Sequence, residues 1–168
     1  MKRYFSLFTA CLILLTFLFT VATPCKAAAA ENFVPDGEVL VSQTSQTLAN
    51  GNIVTVTVSE SPVSTYASSF AKNGSKTYTL RKSDGEVLWK FTVSGVFTVT
   101  SGVSSVCTEA SYAYTIYNSD WRFDSASTSR SGNKAIGNAA FDRTIFSMVV
   151  ETQTCEVVLT CDTYGNLS

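Results

Sequence analysis

The sequence contains no histidine, and only 15% of its 168 residues are charged. Without histidine there is no Ser-His-Asp or Cys-His nucleophilic site, no HExxH zinc site and no histidine-based pH switch. Nucleophile elbows, phosphate loops and dinucleotide fingerprints are also missing from the sequence, so we expect neither a cofactor nor a bound metal. A formal net charge of -1 gives no reason to expect nucleic acid as a partner. The length suits a single domain.

The first thirty residues have the order of a secretory signal peptide. A short basic start precedes an apolar run over residues 4–22, and Pro24 breaks that run before four small residues. We therefore expect cleavage near Ala29 and Ala30 and release of the protein into the extracellular space. The apolar run is close to the ~20 residues that span a bilayer, so an uncleaved N-terminal membrane anchor is the alternative.

The part that remains after export is mildly acidic and rich in hydroxyl groups. Removal of residues 1–30 takes away three basic residues and no acid, which leaves nine Lys or Arg against 13 Asp or Glu. This balance does not favour binding to anionic lipids, so we expect membrane contact only during export. Ser and Thr supply 39 of the remaining 138 residues. Low charge, many hydroxyls and no long amphipathic helix are typical of an extracellular all-β domain.

Alternating stretches predict an antiparallel β-sandwich, immunoglobulin-like or similar, with seven to nine strands over residues 53–168. The clearest unit is a hairpin around Asp84-Gly85, because Asp-Gly between alternating runs is a strong turn signal. Residues 31–52 are polar and are expected to be irregular, and residues 63–75 fit either a short helical piece or a loop. Strands are expected near residues 53–58, 76–82, 87–93, 96–99, 103–108, 112–117, 121–123, 134–146 with an extension to 150, and 154–162.

Three cysteines remain after export, namely Cys107, Cys155 and Cys161. The last two lie in one predicted strand, and six residues of strand span ~20 Å, whereas a disulfide needs Cα atoms within ~7 Å. Any bridge within the chain therefore includes Cys107, with Cys161 or Cys155 as its partner. The spare cysteine is expected to be a small buried apolar residue, because no histidine is present to activate a catalytic thiol.

The candidate ligand-binding residues lie at one polar turn and on the aromatic segments beside it. Flat aromatic rings next to hydrogen-bonding groups are the usual components of sugar-stacking sites. Trp121 directly follows the turn, so we expect its ring to be exposed. Tyr112 and Tyr114 also fit core or cross-strand pairs, and Trp89 is expected in the core. The candidate set is Tyr117, Asp120, Trp121 and Arg122.

These features favour a non-catalytic binding or interaction module whose ligand is a cell-wall or dietary polysaccharide or a surface protein. One alternative is an extracellular structural or bacteriocin-like protein. Another is a hydrolase that uses paired carboxylates, since glycoside hydrolysis needs two acids ~5–9 Å apart. The available pairs are Asp84 with Glu86 and Asp120 with Asp124. Ordinary turn roles account for both pairs, so we do not expect an enzyme.

Three segments after Ser75 are distinctive as short sequence motifs. They are Gly-Val-Phe at 95–97 ahead of Val-Cys-Thr at 106–108, Ser-Gly-Asn-Lys-Ala at 131–135, and Leu-Thr-Cys-Asp-Thr-Tyr-Gly-Asn at 159–166. In these segments the chain resembles small secreted β-proteins of Gram-positive bacteria for which no activity is known. The resemblance implies secretion and a disulfide between Cys107 and Cys161, with Cys155 as an addition to the pattern. It implies no activity.

Overall fold

The computed structural model of the protein describes residues 37–62 and 68–168, so the predicted signal peptide and its cleavage site lie outside the described residues. The described residues form eight antiparallel strands and no helix. This confirms the predicted all-β sandwich class and the strand number. The strands are β1 (Val39–Thr47), β2 (Ile53–Glu60), β3 (Ser69–Arg81), β4 (Val87–Thr100), β5 (Ser104–Ile116), β6 (Trp121–Ser131), β7 (Lys134–Ile145) and β8 (Met148–Thr160).

The strands form one sheet of five, in the order β1-β2-β3-β4-β5, and one sheet of three, in the order β6-β7-β8. Strands β3, β4 and β5 contact the smaller sheet. Each strand pairs with its neighbour in sequence, so the chain makes two meanders joined by the β5–β6 connection. Immunoglobulin sandwiches use Greek-key connections instead, so the likeness to them extends to the layered architecture and not to the strand order.

Local sequence explains the strands at the centre of the large sheet. In β2, Val54 and Val58 point into the core, while the hydroxyl residues between them point to the opposite face, as strict alternation requires. The β3–β4 turn forms where Asp-Gly predicted it. Gly85 has a φ of 94°, and the amide of Glu86 donates a 3.0 Å hydrogen bond to Oδ1 of Asp84. This hairpin prediction is confirmed.

The core between the sheets is built around stacked aromatic rings. Trp89 is fully buried, as predicted, and its ring stacks on Phe141 of the small sheet with centroids 4.0 Å apart. Trp121 packs edge-on against Trp89 at 6.2 Å. Close approach of the sheets depends on Gly137, because a Cβ there would lie 2.3 Å from Cγ2 of Val93. Aromatic stacking and this close approach together hold the sheets in contact.

Two predicted boundaries are wrong. Residues 39–47 were expected to be irregular, but they form β1, which pairs with β2 along its length. It is an edge strand whose side chains are mostly exposed, so pairing does not require alternating apolar residues. A strand was expected over residues 134–146 with an extension to 150. Its main part forms β7, but a turn at Phe146 and Ser147 ends that strand, and residues 148–150 begin β8 instead.

Two other stretches differ from the expectation in detail. Residues 103–108 and 112–117 were expected to be separate strands, yet residues 104–116 form the single strand β5 with a bulge opposite Val96 and Phe97. Of the ambiguous residues 63–75, the last seven belong to β3, and residues 63–67 lie outside the described part of the chain.

Candidate functional site

Two tyrosines of β5 form the most exposed ordered aromatic surface on a strand of the large sheet. Tyr112 and Tyr114 are 41% and 43% exposed, and they are two residues apart in an edge strand, so they share one face. The ring of Tyr114 stacks on Phe123 of β6 with centroids 4.0 Å apart and an angle of only 4° between the planes. Tyr112 packs against Phe91 at 5.9 Å. We call Tyr112 and Tyr114 the tyrosine strip.

Core rings fix the orientation of the tyrosine strip. Phe123, which backs Tyr114, itself contacts the buried Phe141 at 5.8 Å, and Tyr114 contacts Phe141 edge-on at 6.2 Å. A half-exposed ring that is held by packed core rings loses little further freedom when a ligand covers its outer side. In the sequence this pair fits a sugar-stacking group and also fits core or cross-strand pairs, because the edge position of β5 depends on the strand order.

The four candidate residues predicted from the sequence do not form one site. Trp121 is 5% exposed and faces the core, so the expectation of an exposed ring is wrong. It opens β6 on the same face as Phe123, and that face packs on the large sheet. Tyr117 is exposed, and the ammonium group of Lys90 lies 5.3 Å from its ring centroid.

Arg122 is held in an ion pair on the small sheet. Its guanidinium group donates from Nη2 and Nε to Oδ2 of Asp142, at 2.9 and 3.3 Å. Thr152 donates to the other carboxylate oxygen at 2.7 Å. The hydrogen bonds from Thr152 and Arg122 hold the pKa of Asp142 below its ordinary value of 3.8. This arrangement ties β6, β7 and β8 together and accounts for Arg122 without a ligand.

Asp120 lies in the β5–β6 turn at one end of the sandwich. Its amide donates to Oδ1 of Asn118, and its carbonyl accepts a 2.7 Å hydrogen bond from the amide of Thr144. The turn borders a polar cleft of about 290 Å³. Three turns and the paired strands β7 and β8 line the cleft with charged and amide groups. These are Asn52, Lys82, Asp84, Asn118, Asp120, Arg143 and Glu151, and Trp121 also lines the cleft.

The acid pairs considered for hydrolysis have structural partners. Asp84 accepts the amide hydrogen bond that shapes its turn, and the carboxylate of Glu86 binds Lys82 at 2.5 Å and Asn118 at 2.8 Å. The Lys82 and Asn118 hydrogen bonds lower the pKa of Glu86. Asp124 accepts a hydrogen bond from the hydroxyl of Ser125 at 3.1 Å. These contacts agree with turn and surface roles.

The three cysteines are buried, and all are free thiols in the structure, so the predicted bridge is not formed there. Burial raises the pKa of each thiol, for Cys155 to about 12, so these thiols are poor nucleophiles. Cys155 and Cys161 both point into the core, as the even spacing predicted. Cys107 and Cys161 both bind the β6–β7 turn, through backbone hydrogen bonds to the consecutive carbonyls of Gly132 and Asn133.

A second surface was not anticipated from the sequence. The β7–β8 hairpin ends in exposed apolar residues, of which Phe146 is 93% exposed. The sequence favoured an extension of the strand that begins at Lys134 through residues 145–150, so the turn at Phe146 and Ser147 was missed. The signal that was available is a run of apolar residues without alternation, which one buried face does not explain.

No group of three metal-binding side chains occurs within residues 37–62 and 68–168. In the same part of the chain, no helix has the length and apolar character to cross a membrane.

We compared the chain with known proteins once its geometry was established. No protein-family model, no curated protein and no solved structure was found to match this chain. The geometry described above therefore carries the functional argument by itself.

Proposed function

We propose that the protein is exported and acts outside the cell as a non-catalytic binding module, with the tyrosine strip as its contact surface for polysaccharide. The observation that carries this proposal is the flat stack of Tyr114 on Phe123, with nearly half of the Tyr114 side chain exposed. The Tyr114–Phe123 stack therefore takes the central place that was expected from the sequence for Trp121, whose buried ring cannot contact a ligand.

Polysaccharide is the ligand class that suits this surface. The apolar faces of sugar rings stack on aromatic rings, and hydroxyl groups around them need hydrogen-bonding partners. Tyr112 and Tyr114 are spaced by two strand residues, about 7 Å, and each carries a phenolic hydroxyl group.

Export and a disulfide are parts of the same proposal. The signal-peptide pattern of residues 1–30 supports export. A bond between Cys107 and Cys161 is supported by their shared attachment to the β6–β7 turn. Formation of this bond removes two protons and two electrons from the two thiols, and a disulfide-bearing oxidant takes them up and is reduced to two thiols. The closed loop of 54 residues would stabilise the fold by roughly 4 kcal/mol.

Binding to insoluble cell-wall and plant polysaccharides tests the function. We expect the wild-type protein to be retained and Tyr114→Ala to lose most of that retention, because the variant removes the stacked ring. Tyr112→Ala should weaken retention less. Tyr164→Ala is the matched control, since Tyr164 is 68% exposed and lies outside the strip. Circular dichroism confirms that each variant is folded. Lack of wild-type retention on every polymer, or equal loss in the control, would reject the polysaccharide proposal.

Alkylation of thiols in the denatured protein tests the disulfide. Protein recovered from the medium should expose one reactive thiol, that of Cys155, until a reductant is added. Cys155→Ser should then expose none, whereas Cys107→Ser should expose two. Three reactive thiols in the unreduced wild-type protein would contradict the bond.

A further inference from the structure

The tip of the β7–β8 hairpin is an exposed apolar surface that the proposed function does not use. We define the apolar tip as residues 145–150, and none of these residues is charged. Phe146 is 93% exposed, Met148 is 65% exposed and Val150 is 51% exposed. Large apolar side chains that cluster at this exposure usually mark an interaction site.

The apolar tip is exposed on both of its faces. Ile145 pairs with Met148, and the next pair is Thr144 with Val149, so these two pairs point to opposite faces of the hairpin. Thr144 is bound to the β5–β6 turn through the carbonyl of Asp120. Beyond Thr144, every residue up to Val150 is exposed. A hairpin that docked on a flat protein surface would bury one face only.

The turn at the tip has an unfavourable backbone conformation. Phe146 and Ser147 have φ values of 49° and 67°, the combination found in type I′ turns. Asn and Gly adopt this conformation readily, whereas an aromatic residue does so at a cost. The exposed Phe146 ring gives no compensating contact within the described residues, so its presence suggests a role in binding.

We propose that the apolar tip inserts into the interfacial region of a lipid bilayer, a membrane contact beyond the one expected from the sequence during export. Two residues of strand from Thr144 to Phe146 span about 7 Å, and elements that lie at the interface bury their apolar groups ~5–10 Å deep. Arg143 and Glu151 form an ion pair of 3.8 Å at the base of the tip, where they meet the lipid headgroups. A bilayer surrounds an inserted hairpin on all sides, which matches two exposed apolar faces.

The chemistry of the tip favours a zwitterionic lipid surface. With no charged residue in the tip and an excess of acidic residues in the exported part, the attraction is apolar and not electrostatic. Binding to phosphatidylcholine vesicles should therefore change little between low and high salt. Strong dependence on salt would indicate an electrostatic contact elsewhere and would contradict the proposal.

A fluorescent label at the tip tests the insertion directly in the full chain. Ser147→Cys carries a polarity-sensitive fluorophore, in a chain in which Cys11 and Cys25 are replaced by Ser. Cys107, Cys155 and Cys161 are buried, so they react slowly. We expect a blue shift with phosphatidylcholine vesicles, and quenching by a quencher attached to the lipid chains. Ser101→Cys, in the exposed β4–β5 turn, is the matched control and should show neither change. A local probe separates insertion of the tip from binding by the apolar N-terminal residues.

Substitution of the tip gives the second measurement. Phe146→Ser combined with Met148→Ser should reduce the vesicle-dependent signal of the label about tenfold or more, because both side chains lose their transfer into the apolar phase. Val103→Ser is the control, since Val103 is an exposed apolar residue in another turn. The proposal is overturned if vesicles leave the emission spectrum of the label at position 147 unchanged. It is also overturned if they change the spectra of labels at positions 101 and 147 equally. A blue shift that appears without vesicles as the protein concentration rises would assign the tip to contact with a second copy of the chain instead.

Discussion

The two ends of the β7–β8 hairpin both carry apolar side chains but differ in what those side chains contact. At the base, Ala135, Ala139 and Phe141 alternate with polar or half-buried residues, and the alternating side chains are buried against the large sheet. At the tip, residues 145–150 are exposed. The side chains at the base therefore pack in the core between the sheets. The side chains at the tip are covered by no strand of the described chain.

This difference shows that the pattern of apolar residues carries more information than their number. Alternation at the base means that one face of the strand is buried. A short run of apolar residues at the tip places side chains on both faces, and burial of both would require a covering layer that the described strands do not provide. The same comparison predicts that substitutions at the base reduce stability, while substitutions at the tip affect binding.

The largest effect is expected at the base, from Phe141→Ala. The Phe141 ring is fully buried, stacks on Trp89 and meets Phe91, Tyr114 and Phe123 edge-on. Loss of this ring should lower the free energy of unfolding by about 3–5 kcal/mol, measured by denaturant titration of tryptophan fluorescence. Phe146→Ala at the tip is the matched control and should change stability by no more than ~0.5 kcal/mol. Similar losses in both variants would remove the distinction between base and tip.

A smaller loss is expected from Gly137→Ala, also at the base. The added Cβ would lie 2.3 Å from Cγ2 of Val93 and 3.2 Å from the ring of Phe91. Such overpacking should cost about 1–3 kcal/mol, because β7 must move away from β4. Val93→Ala makes room for the new methyl group, so the double variant should lose less stability than the sum of the single variants. Additive losses would show that the Val93 contact is not the cause.

Much of the fold could be predicted from the sequence because it depends on local chemistry. The alternation of β2, the Asp84-Gly85 turn and the burial of Trp89 each follow from a few neighbouring residues. Strand β1 was missed because an exposed edge strand pairs through its backbone and leaves no apolar alternation. The turn at Phe146 was missed because its two residues are not those that type I′ turns favour.

The candidate site was predicted less well because it depends on long-range topology. Trp121 is followed two residues later by Phe123, and this spacing indicated a shared face that could have warned against an exposed ring. Tyr112 and Tyr114 alternate as core residues do. They remain half exposed because β5 is the last strand of its sheet, and the strand order cannot be read from a short stretch of sequence.

A still smaller effect, one that depends on pH, is expected at the junction between base and tip. The pKa of Asp142 is lowered by hydrogen bonds from Thr152 and Arg122, so the ionised carboxylate stabilises the fold above the unfolded pKa near 3.8. This stabilisation is lost as the pH falls through the lower pKa of the folded state. Asp142→Asn should therefore be less stable than the wild type at neutral pH, with a gap that narrows in acid.

Arg122→Gln provides the control for this pH dependence. Without the guanidinium group the pKa of Asp142 should move back toward 3.8, so the acid-induced loss of stability should begin at a higher pH than in the wild type. Urea titrations from about pH 2 to about pH 7 would measure both effects, because this range includes the ordinary aspartate pKa of 3.8. A constant gap between Asp142→Asn and the wild type at all pH values would show that the charge of Asp142 does not stabilise the fold.

The smallest effect is expected at the tip, and its sign should be opposite. Phe146→Asn combined with Ser147→Gly introduces the residues that type I′ turns favour at φ values of 49° and 67°. Relief of the unfavourable backbone conformation should raise the free energy of unfolding by up to about 1 kcal/mol. The same variant should lose the vesicle response, because it removes the exposed ring. A gain in stability together with a loss of lipid binding would mean that this turn is adapted for contact and not for stability. A loss of stability would instead mean that the Phe146 ring supports the fold, and the contrast between base and tip would then fail.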